Sequence, residues 1–288
     1  SISTKAFIKL MLEYLKLIYE KYKDSNLIRF SNYLLLFVSF YYLWNKLKKL
    51  EYESLFNLDI GIFLMSILLI YSSFYSQSVA WAKLFDTEQK NYLIKVWLGS
   101  NLAKYIPFKV GVILKRVNEI RLKSDISLKI ITKNYLLEQV MLLSSAFVIS
   151  ICYFFQDLLT FTIVYLLIIL ALRTYGLRKK IESNLITAFV YYFLSQYCYL
   201  ISVYLISIEI FGQFEIKYAS IYIISTIVGM FVFTAPVGLG VRESVFIFLL
   251  GNINNLNEVF NFIVIARILV TIVDILSFLS SYLYLKEK

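Results

Sequence analysis

Histidine is absent from this chain of 288 residues, and proline and cysteine each occur only twice. The lack of histidine excludes imidazole-based catalytic triads and most zinc sites, because both depend on that ring. The sequence also contains no G-x-x-x-x-G-K-[ST] loop, which excludes a P-loop ATPase within it. A membrane-embedded enzyme is disfavoured further because no cluster of acids has metal-ligand spacing. We therefore expect a protein that is not an enzyme and that has no metal and no cofactor.

Charged residues are missing from several long stretches of the sequence. Four uncharged runs cover residues 60–82, 139–156, 183–208 and 218–241. Each is near or above the roughly 18–20 residues that a helix needs to cross the hydrocarbon core of a bilayer. The runs do not alternate polar and apolar residues, as the strands of a membrane barrel would. The sequence predicts an all-α integral membrane protein with about six full spans, at 28–45, 58–82, 134–156, 158–175, 184–211 and 257–285.

The net charge of +10 reflects basic residues whose positions indicate the orientation of the chain in a membrane. It does not indicate nucleic-acid binding. Basic residues concentrate in residues 83–133, in the turn at 173–180 and at the C-terminal end. The other connections, near Asp157, at 212–217 and at 251–258, contain a single basic residue, Lys217. By the positive-inside rule, this pattern predicts a multi-pass protein of the cytoplasmic membrane with both termini in the cytoplasm. Three lysines disagree with this orientation: Lys46, Lys48 and Lys49. Anionic membrane lipids are the expected partners.

The N-terminal region, residues 1–27, is predicted to form an amphipathic helix lying at the membrane interface. Charged residues recur every three or four positions within 5–23, which places them on one face of a helix. Packing of this helix on a soluble partner is the alternative. Because this stretch is charged and amphipathic, no cleavable signal peptide is expected. Residues 28–288 form the predicted transmembrane domain.

Both prolines interrupt apolar segments that otherwise have helical character. Pro107 is followed by Gly111, and Pro236 is followed by Gly238 and Gly240. Proline removes a backbone donor and glycine permits a chain reversal, so these positions are the expected breaks. Such breaks are tolerated at membrane depth only where protein or water satisfies the freed backbone groups.

The charge pattern predicts that the two broken segments enter the membrane from opposite sides. Both ends of the segment at about 91–122 are expected in the cytoplasm, and both ends of 218–251 are expected outside. Two re-entrant helical hairpins of opposite entry are typical of an inverted-repeat transporter with a site near the midplane. The alternatives are ordinary proline kinks in complete spans and, for the first segment, a helical pair resting at the interface.

The residues at these breaks resemble a known family. The stretch 102–107, which reads Leu-Ala-Lys-Tyr-Ile-Pro and continues to Arg116, resembles the first signature of the lysylphosphatidylglycerol synthase transmembrane, or flippase-like, family. Residues 235–243 resemble its second signature, P-G-G-x-G-x-R-E, with Val237 replacing one glycine. Glu138 and Arg267 stand where that family tends to carry a glutamate and an arginine. The resemblance covers about 28–285 and implies movement of an aminoacylated or glycan-carrying lipid between leaflets, here without a synthase domain.

Charges inside apolar segments are the candidate functional residues, because a charge at mid-bilayer costs about 2.5–3.5 kcal/mol on insertion scales. The candidate ligands of a lipid phosphate are Arg116, Arg242 and Arg267, since the arginine fork binds phosphate through two hydrogen bonds. The candidates for charge balance or proton coupling are Glu138, Glu243 and Asp274. The candidates for gathering headgroups at an entrance are Lys104 and Lys109. The alternative is that these charges only pair with one another, for example Asp274 with Arg267, and fasten the hairpins.

The sequence thus predicts a lipid translocase that moves an anionic phospholipid or a polyprenyl-phosphate-linked glycan between leaflets. The alternative is a membrane subunit that does not transport, but binds such a lipid and presents it to a separate glycosyl- or aminoacyl-transferase. Small residues such as Gly229 form no clear helix-dimer motif, so the sequence favours no particular oligomeric state.

Overall fold

The computed structural model describes ten stretches of the chain, within a compact unit that covers residues 50–288. They are residues 59–105, 110–150, 162–164, 166–167, 170–171, 174, 183–212, 214–231, 240–250 and 256–283. The described part is predominantly helical and contains no strand. Its helices are α1 (Ile60–Lys83), α2 (Lys90–Ser100), α3 (Val110–Lys123), α4 (Leu128–Ser150), α5 (Ser183–Phe211), α6 (Ile216–Phe231), α7 (Val241–Leu250) and α8 (Leu256–Leu283), with a short 3-10 helix at Asn101–Tyr105.

Three of these helices, α1, α5 and α8, are long and apolar enough to cross a membrane. The corresponding stretches are Ile60–Lys83, Asn184–Phe211 and Asn257–Tyr282. They agree within a few residues with the predicted spans at 58–82, 184–211 and 257–285, and they are compatible with a membrane protein. The predicted N-terminal helix at 1–27 and the predicted span at 28–45 lie outside the described residues, as does most of 158–175.

Helix α4 begins earlier than the sequence predicts. The expected span starts at residue 134, whereas the helix starts at Leu128. Lys129 and Lys133 occupy its first turns, and both are exposed. Charged residues therefore extend the helix at a polar end instead of terminating it. Residues 151–156 of the predicted span lie outside the described part.

Local side-chain contacts account for both ends of α1. At its start, the Asp59 carboxylate accepts a hydrogen bond from the Ile62 amide at 3.0 Å, which satisfies one of the free amides of the first turn. At its end, the Lys90 ammonium donates to the Ala82 carbonyl at 3.2 Å, where carbonyl groups lack helical partners. The connection from α1 to α2 is thereby tied back onto α1.

Helices α1 and α5 form the most extensive helix pair, and serine allows their close contact. Ser66 on α1 and Ser202 on α5 are fully buried, and the Ser202 hydroxyl donates to the Ser66 carbonyl at 3.2 Å. Small side chains let two helix backbones approach closely, a common basis of packing between apolar helices. Helix α8 also packs against α1, α2 and α5.

Helix α2 approaches the C-terminal end of α8 at Gly99. A methyl group added to Gly99 would lie 3.0 Å from the Ser281 hydroxyl, so a larger residue would require the Ser281 side chain to move. The Lys115 ammonium of α3 donates to the Gly99 carbonyl at 2.5 Å. Gly99 is thus a point where α2 contacts both α3 and α8.

In each of the two segments that contain the prolines, two described helices pack on each other, α2 with α3 and α6 with α7. The connecting residues, 106–109 and 232–239, lie outside the described part, and so do the predicted breaks at Pro107, Pro236 and Gly238 and the predicted entrance residue Lys109. Gly111 lies in the first turn of α3. Gly240 immediately precedes α7 with a φ of 84°, a conformation that glycine adopts without the strain of a side chain.

Candidate functional site

The charged residues of the apolar segments meet in three centres. The first, named the Arg116 centre, consists of Arg116 and Glu138 with the polar groups that contact them. The second, named the Arg242 centre, consists of Arg242, Glu243 and Arg267. The third is the Asp274 centre, formed by Asp274 and Lys104.

In the Arg116 centre, a buried ion pair has hydrogen-bond partners on both sides. Arg116 and Glu138 are 2% and 1% exposed, and Nη1 of Arg116 contacts Oε2 of Glu138. The Arg116 Nε donates to the Ser100 hydroxyl at 2.8 Å. The Trp97 indole N–H donates to the other carboxylate oxygen of Glu138 at 2.7 Å. A buried pair needs such additional bonds to offset the loss of hydration, and this pair has them.

Aromatic rings enclose the Arg116 guanidinium. Its central carbon lies 4.8 Å from the ring of Trp81, 5.2 Å from that of Trp97 and 5.7 Å from that of Tyr135. Cation–π attraction at such distances stabilises a desolvated cation. Because these rings belong to α1, α2 and α4, the single guanidinium on α3 joins four helices.

The Arg242 centre begins with a buried guanidinium at the start of α7. Arg242 is 7% exposed, and its central carbon lies 4.0 Å from the ring of Tyr222 on α6. Its Nη2 donates to the Tyr199 hydroxyl of α5 over a long distance of 3.3 Å. Among the described residues, its Nε has no hydrogen-bond partner and no carboxylate lies at ion-pair distance.

The neighbouring Glu243 serves two groups at once. One carboxylate oxygen accepts a hydrogen bond from the Gly240 amide at 2.7 Å, which fixes the turn before α7 in the manner of a capping box. The other oxygen forms an ion pair with Nη2 of Arg267 on α8. The contact is an ion pair without hydrogen-bond alignment, and Nε of Arg267 also has no partner in the described part of the chain.

The Asp274 centre connects α8 to the 3-10 helix that follows α2. Asp274 is fully buried. Its two oxygens accept hydrogen bonds from the Lys104 ammonium at 2.7 Å and from the Tyr105 hydroxyl at 2.8 Å. Lys104 also lies 5.1 Å from the centre of the Phe74 ring. The 3-10 helix is therefore attached to α8 by two charge-assisted bonds.

The three centres differ in their balance of charge. The Arg116 and Asp274 centres each contain one cation and one carboxylate. The Arg242 centre contains two guanidinium groups and one carboxylate, so it has an excess of one positive charge. Arg267 and Asp274 lie on the same face of α8, but they have different partners, Glu243 and Lys104.

Several aromatic residues of the site were not predicted from the sequence. Trp81, Trp97, Tyr199 and Tyr222 contact the two buried arginines, yet the chain has 24 tyrosines and 24 phenylalanines, so tyrosine carries little positional information. Tryptophan occurs only three times. Two of these tryptophans contact Arg116, and their rarity was the available signal.

Comparisons with protein-family models, with curated proteins and with solved structures return no match to this chain. The described residues contain no group of three or more cysteines, aspartates or glutamates placed to hold a metal ion. The site therefore has to be interpreted from its own geometry.

Proposed function

We propose that the chain is a lipid translocase, which moves an anionic phospholipid or a polyprenyl-phosphate-linked glycan between the leaflets of a cytoplasmic membrane. The observation that carries this proposal is the Arg242 centre. Its excess positive charge, and guanidinium nitrogens that have no hydrogen-bond partner among the described residues, favour an anionic group as a ligand. A phosphate suits this role because its oxygens accept the paired hydrogen bonds that arginine donates.

The arrangement of the helices supports a path for such a headgroup. Helices α2, α3, α6 and α7 have 11, 14, 16 and 10 residues. At about 1.5 Å per residue, the described part of each is shorter than the roughly 30 Å of a hydrocarbon core. In the proposed architecture, these two helical pairs are re-entrant hairpins that end within the bilayer. This architecture also includes six full spans. The same breaks carry the resemblance to the flippase-like family.

Side-specific labelling of single cysteines tests this architecture. Cysteines introduced at exposed positions near both ends of 218–251, in a chain whose own cysteines are replaced by serine, are expected to react from one side of sealed vesicles. Reaction from opposite sides would show that the segment crosses the membrane, and would overturn the inverted-repeat arrangement.

Leaflet exchange of a fluorescent phosphatidylglycerol, in vesicles that contain only the purified chain, tests the proposed activity. We expect faster exchange than in empty vesicles. Arg242→Ala is expected to slow it at least tenfold, because the proposed site loses the guanidinium that binds the phosphate. The matched control is Arg121→Ala, since Arg121 is an exposed arginine of α3 outside all three centres, and it should leave the rate unchanged.

Two results would contradict the translocase. One is an exchange rate equal to that of empty vesicles across several anionic lipids, and the other is an equal rate for Arg242→Ala and the unmodified chain. Binding of the lipid without exchange would favour the alternative function, a membrane subunit that presents lipid to a separate transferase. Thermal unfolding of both variants verifies that they fold.

A further inference from the structure

A second basic region lies outside the three centres, at the surface between α2, α3 and the C-terminal end of α8. It forms an open cleft of about 220 Å³. The residues that line it include Tyr92, Lys95, Lys115, Glu119, Lys123 and Phe278. We name it the lysine cleft.

The lysine cleft contains three ammonium groups and one carboxylate. The Lys115 ammonium lies 3.9 Å from a carboxylate oxygen of Glu119 and donates a hydrogen bond to the Gly99 carbonyl. These two contacts fix its position. Lys95 and Lys123 have no carboxylate at ion-pair distance among the described residues. Two cations thus remain close together without a direct counter-charge.

Aromatic rings form the walls of the lysine cleft. The Lys115 ammonium lies 5.0 Å from the centre of the Phe278 ring, and the Lys123 ammonium lies 5.6 Å from that of Tyr92. The Tyr92 hydroxyl donates to the Glu119 carbonyl at 2.6 Å, which connects α2 to α3. The walls and the lysine positions are therefore built from contacts between helices.

Apolar side chains are exposed next to the cleft. Leu122 and Tyr282 at its edge are 80% and 56% exposed, and Leu279 on the same end of α8 is 52% exposed. A cationic cleft beside exposed apolar residues suits a ligand with an anionic group and an apolar tail. Flexible lysines bind phosphate as point charges, and they release it more readily than a bidentate arginine would.

We infer that the lysine cleft binds the phosphate group of a phosphate ester, either in a lipid headgroup or in a soluble molecule. This inference deepens the proposed translocation, since it names a surface site where a headgroup docks before it reaches the Arg242 centre. Docking itself does not depend on exchange between leaflets. A binding measurement in micelles therefore separates failure of this inference from failure of the proposed function.

Isothermal titration calorimetry of the full chain in neutral maltoside micelles, with dioctanoyl phosphatidylglycerol as the probe, tests the site. All variants carry Arg242→Ala, which removes the proposed internal site. Lys95→Gln with Lys123→Gln is expected to weaken binding about tenfold, which corresponds to about 1.4 kcal/mol. Lys115 is left unchanged because it holds α2 in place.

The matched control is Lys129→Gln with Lys133→Gln, which removes two exposed lysines outside the cleft. It should weaken binding less than twofold, and Lys95→Arg with Lys123→Arg should retain it. Equal weakening by the two glutamine pairs would overturn the site, because the lysines would then act only through overall charge. The site would also be overturned if Lys95→Gln with Lys123→Gln did not weaken binding, or if the probe did not bind at all.

Competition by glycerol 3-phosphate identifies the source of the phosphate. Displacement of the lipid probe at millimolar concentration would support recognition of the phosphate group alone, as in a soluble phosphate ester. Glycerol 3-phosphate could instead fail to compete while Lys95→Gln with Lys123→Gln still weakens lipid binding. This result would support a lipid whose headgroup binds in the cleft and whose tail rests on the exposed apolar residues.

Discussion

Arg116 and Arg242 are both buried, and both lie against aromatic rings, but within the described residues only Arg116 contacts a carboxylate. The carboxylate of Glu138 is bonded through both oxygens, to Arg116 and to Trp97. Arg242 has only a 3.3 Å contact with a tyrosine hydroxyl and an Nε without a partner in the described part of the chain. Two similar side chains therefore occupy sites of different character.

The difference separates a structural role from a binding role. A buried pair whose groups are bonded has little remaining capacity for a ligand, and breaking it costs stability. A buried cation without a counter-charge has a cost of its own, which an anionic ligand would offset. The Arg116 centre therefore fits a brace between four helices, and the Arg242 centre fits a binding site. Substitutions in both centres test this contrast.

The largest effect is expected from Glu138→Gln. The substitution leaves the Arg116 guanidinium buried without a counter-charge, and loss of one partner of a buried pair costs about 3–5 kcal/mol of unfolding free energy. Thermal unfolding in detergent micelles measures the loss, with Glu215→Gln at the exposed ion pair with Lys217 as the control. A Glu138→Gln protein as stable as the unmodified chain would contradict the bracing role.

A smaller effect is expected from Trp97→Phe. The variant keeps an aromatic ring near Arg116 but removes the indole donor to Glu138, a hydrogen bond to a charged group worth about 1.5–3 kcal/mol. Exchange of labelled lipid by the folded variant should stay at its normal rate. If stability stays constant while exchange falls, the assignment of the Arg116 centre to structure is wrong.

The smallest effect on stability is expected from Tyr222→Phe. The Tyr222 hydroxyl is buried and has no partner among the described residues, and the ring that faces Arg242 remains. The free energy of unfolding should change by less than about 0.5 kcal/mol, since no hydrogen bond is lost. A loss as large as that of Trp97→Phe would mean that the Arg242 centre is braced as firmly as the Arg116 centre.

The long helices could be predicted from the sequence more accurately than the contacts between them. Absence of charge over 60–82 and 183–208 marks α1 and α5 because hydrocarbon excludes unpaired charge. The partner of Asp274 could not be predicted from the pattern of charge along the sequence. Spacing within a helix placed Asp274 on the face of Arg267, but a residue 170 positions away in sequence, Lys104, forms the pair. Such contacts depend on which helices become neighbours, and periodicity carries no information about that.

The start of α4 shows the same limit at a helix end. Lys129 and Lys133 mark where the apolar run begins, but helix formation depends on backbone bonding and continues into the charged residues. The prediction located a polar boundary rather than the first residue of the helix.

Helix α8 forms an ion pair with each of the two segments that contain the prolines, and it contributes residues of opposite charge to the two pairs. It uses a cation, Arg267, toward α7 and an anion, Asp274, toward the 3-10 helix after α2. The two residues are about 10 Å apart along the helix axis. A shift of α8 along its axis would carry both segments in the same direction or break one of the pairs. Helix α8 thus links α7 to the 3-10 helix through these two pairs, and we expect these two elements to move together with it.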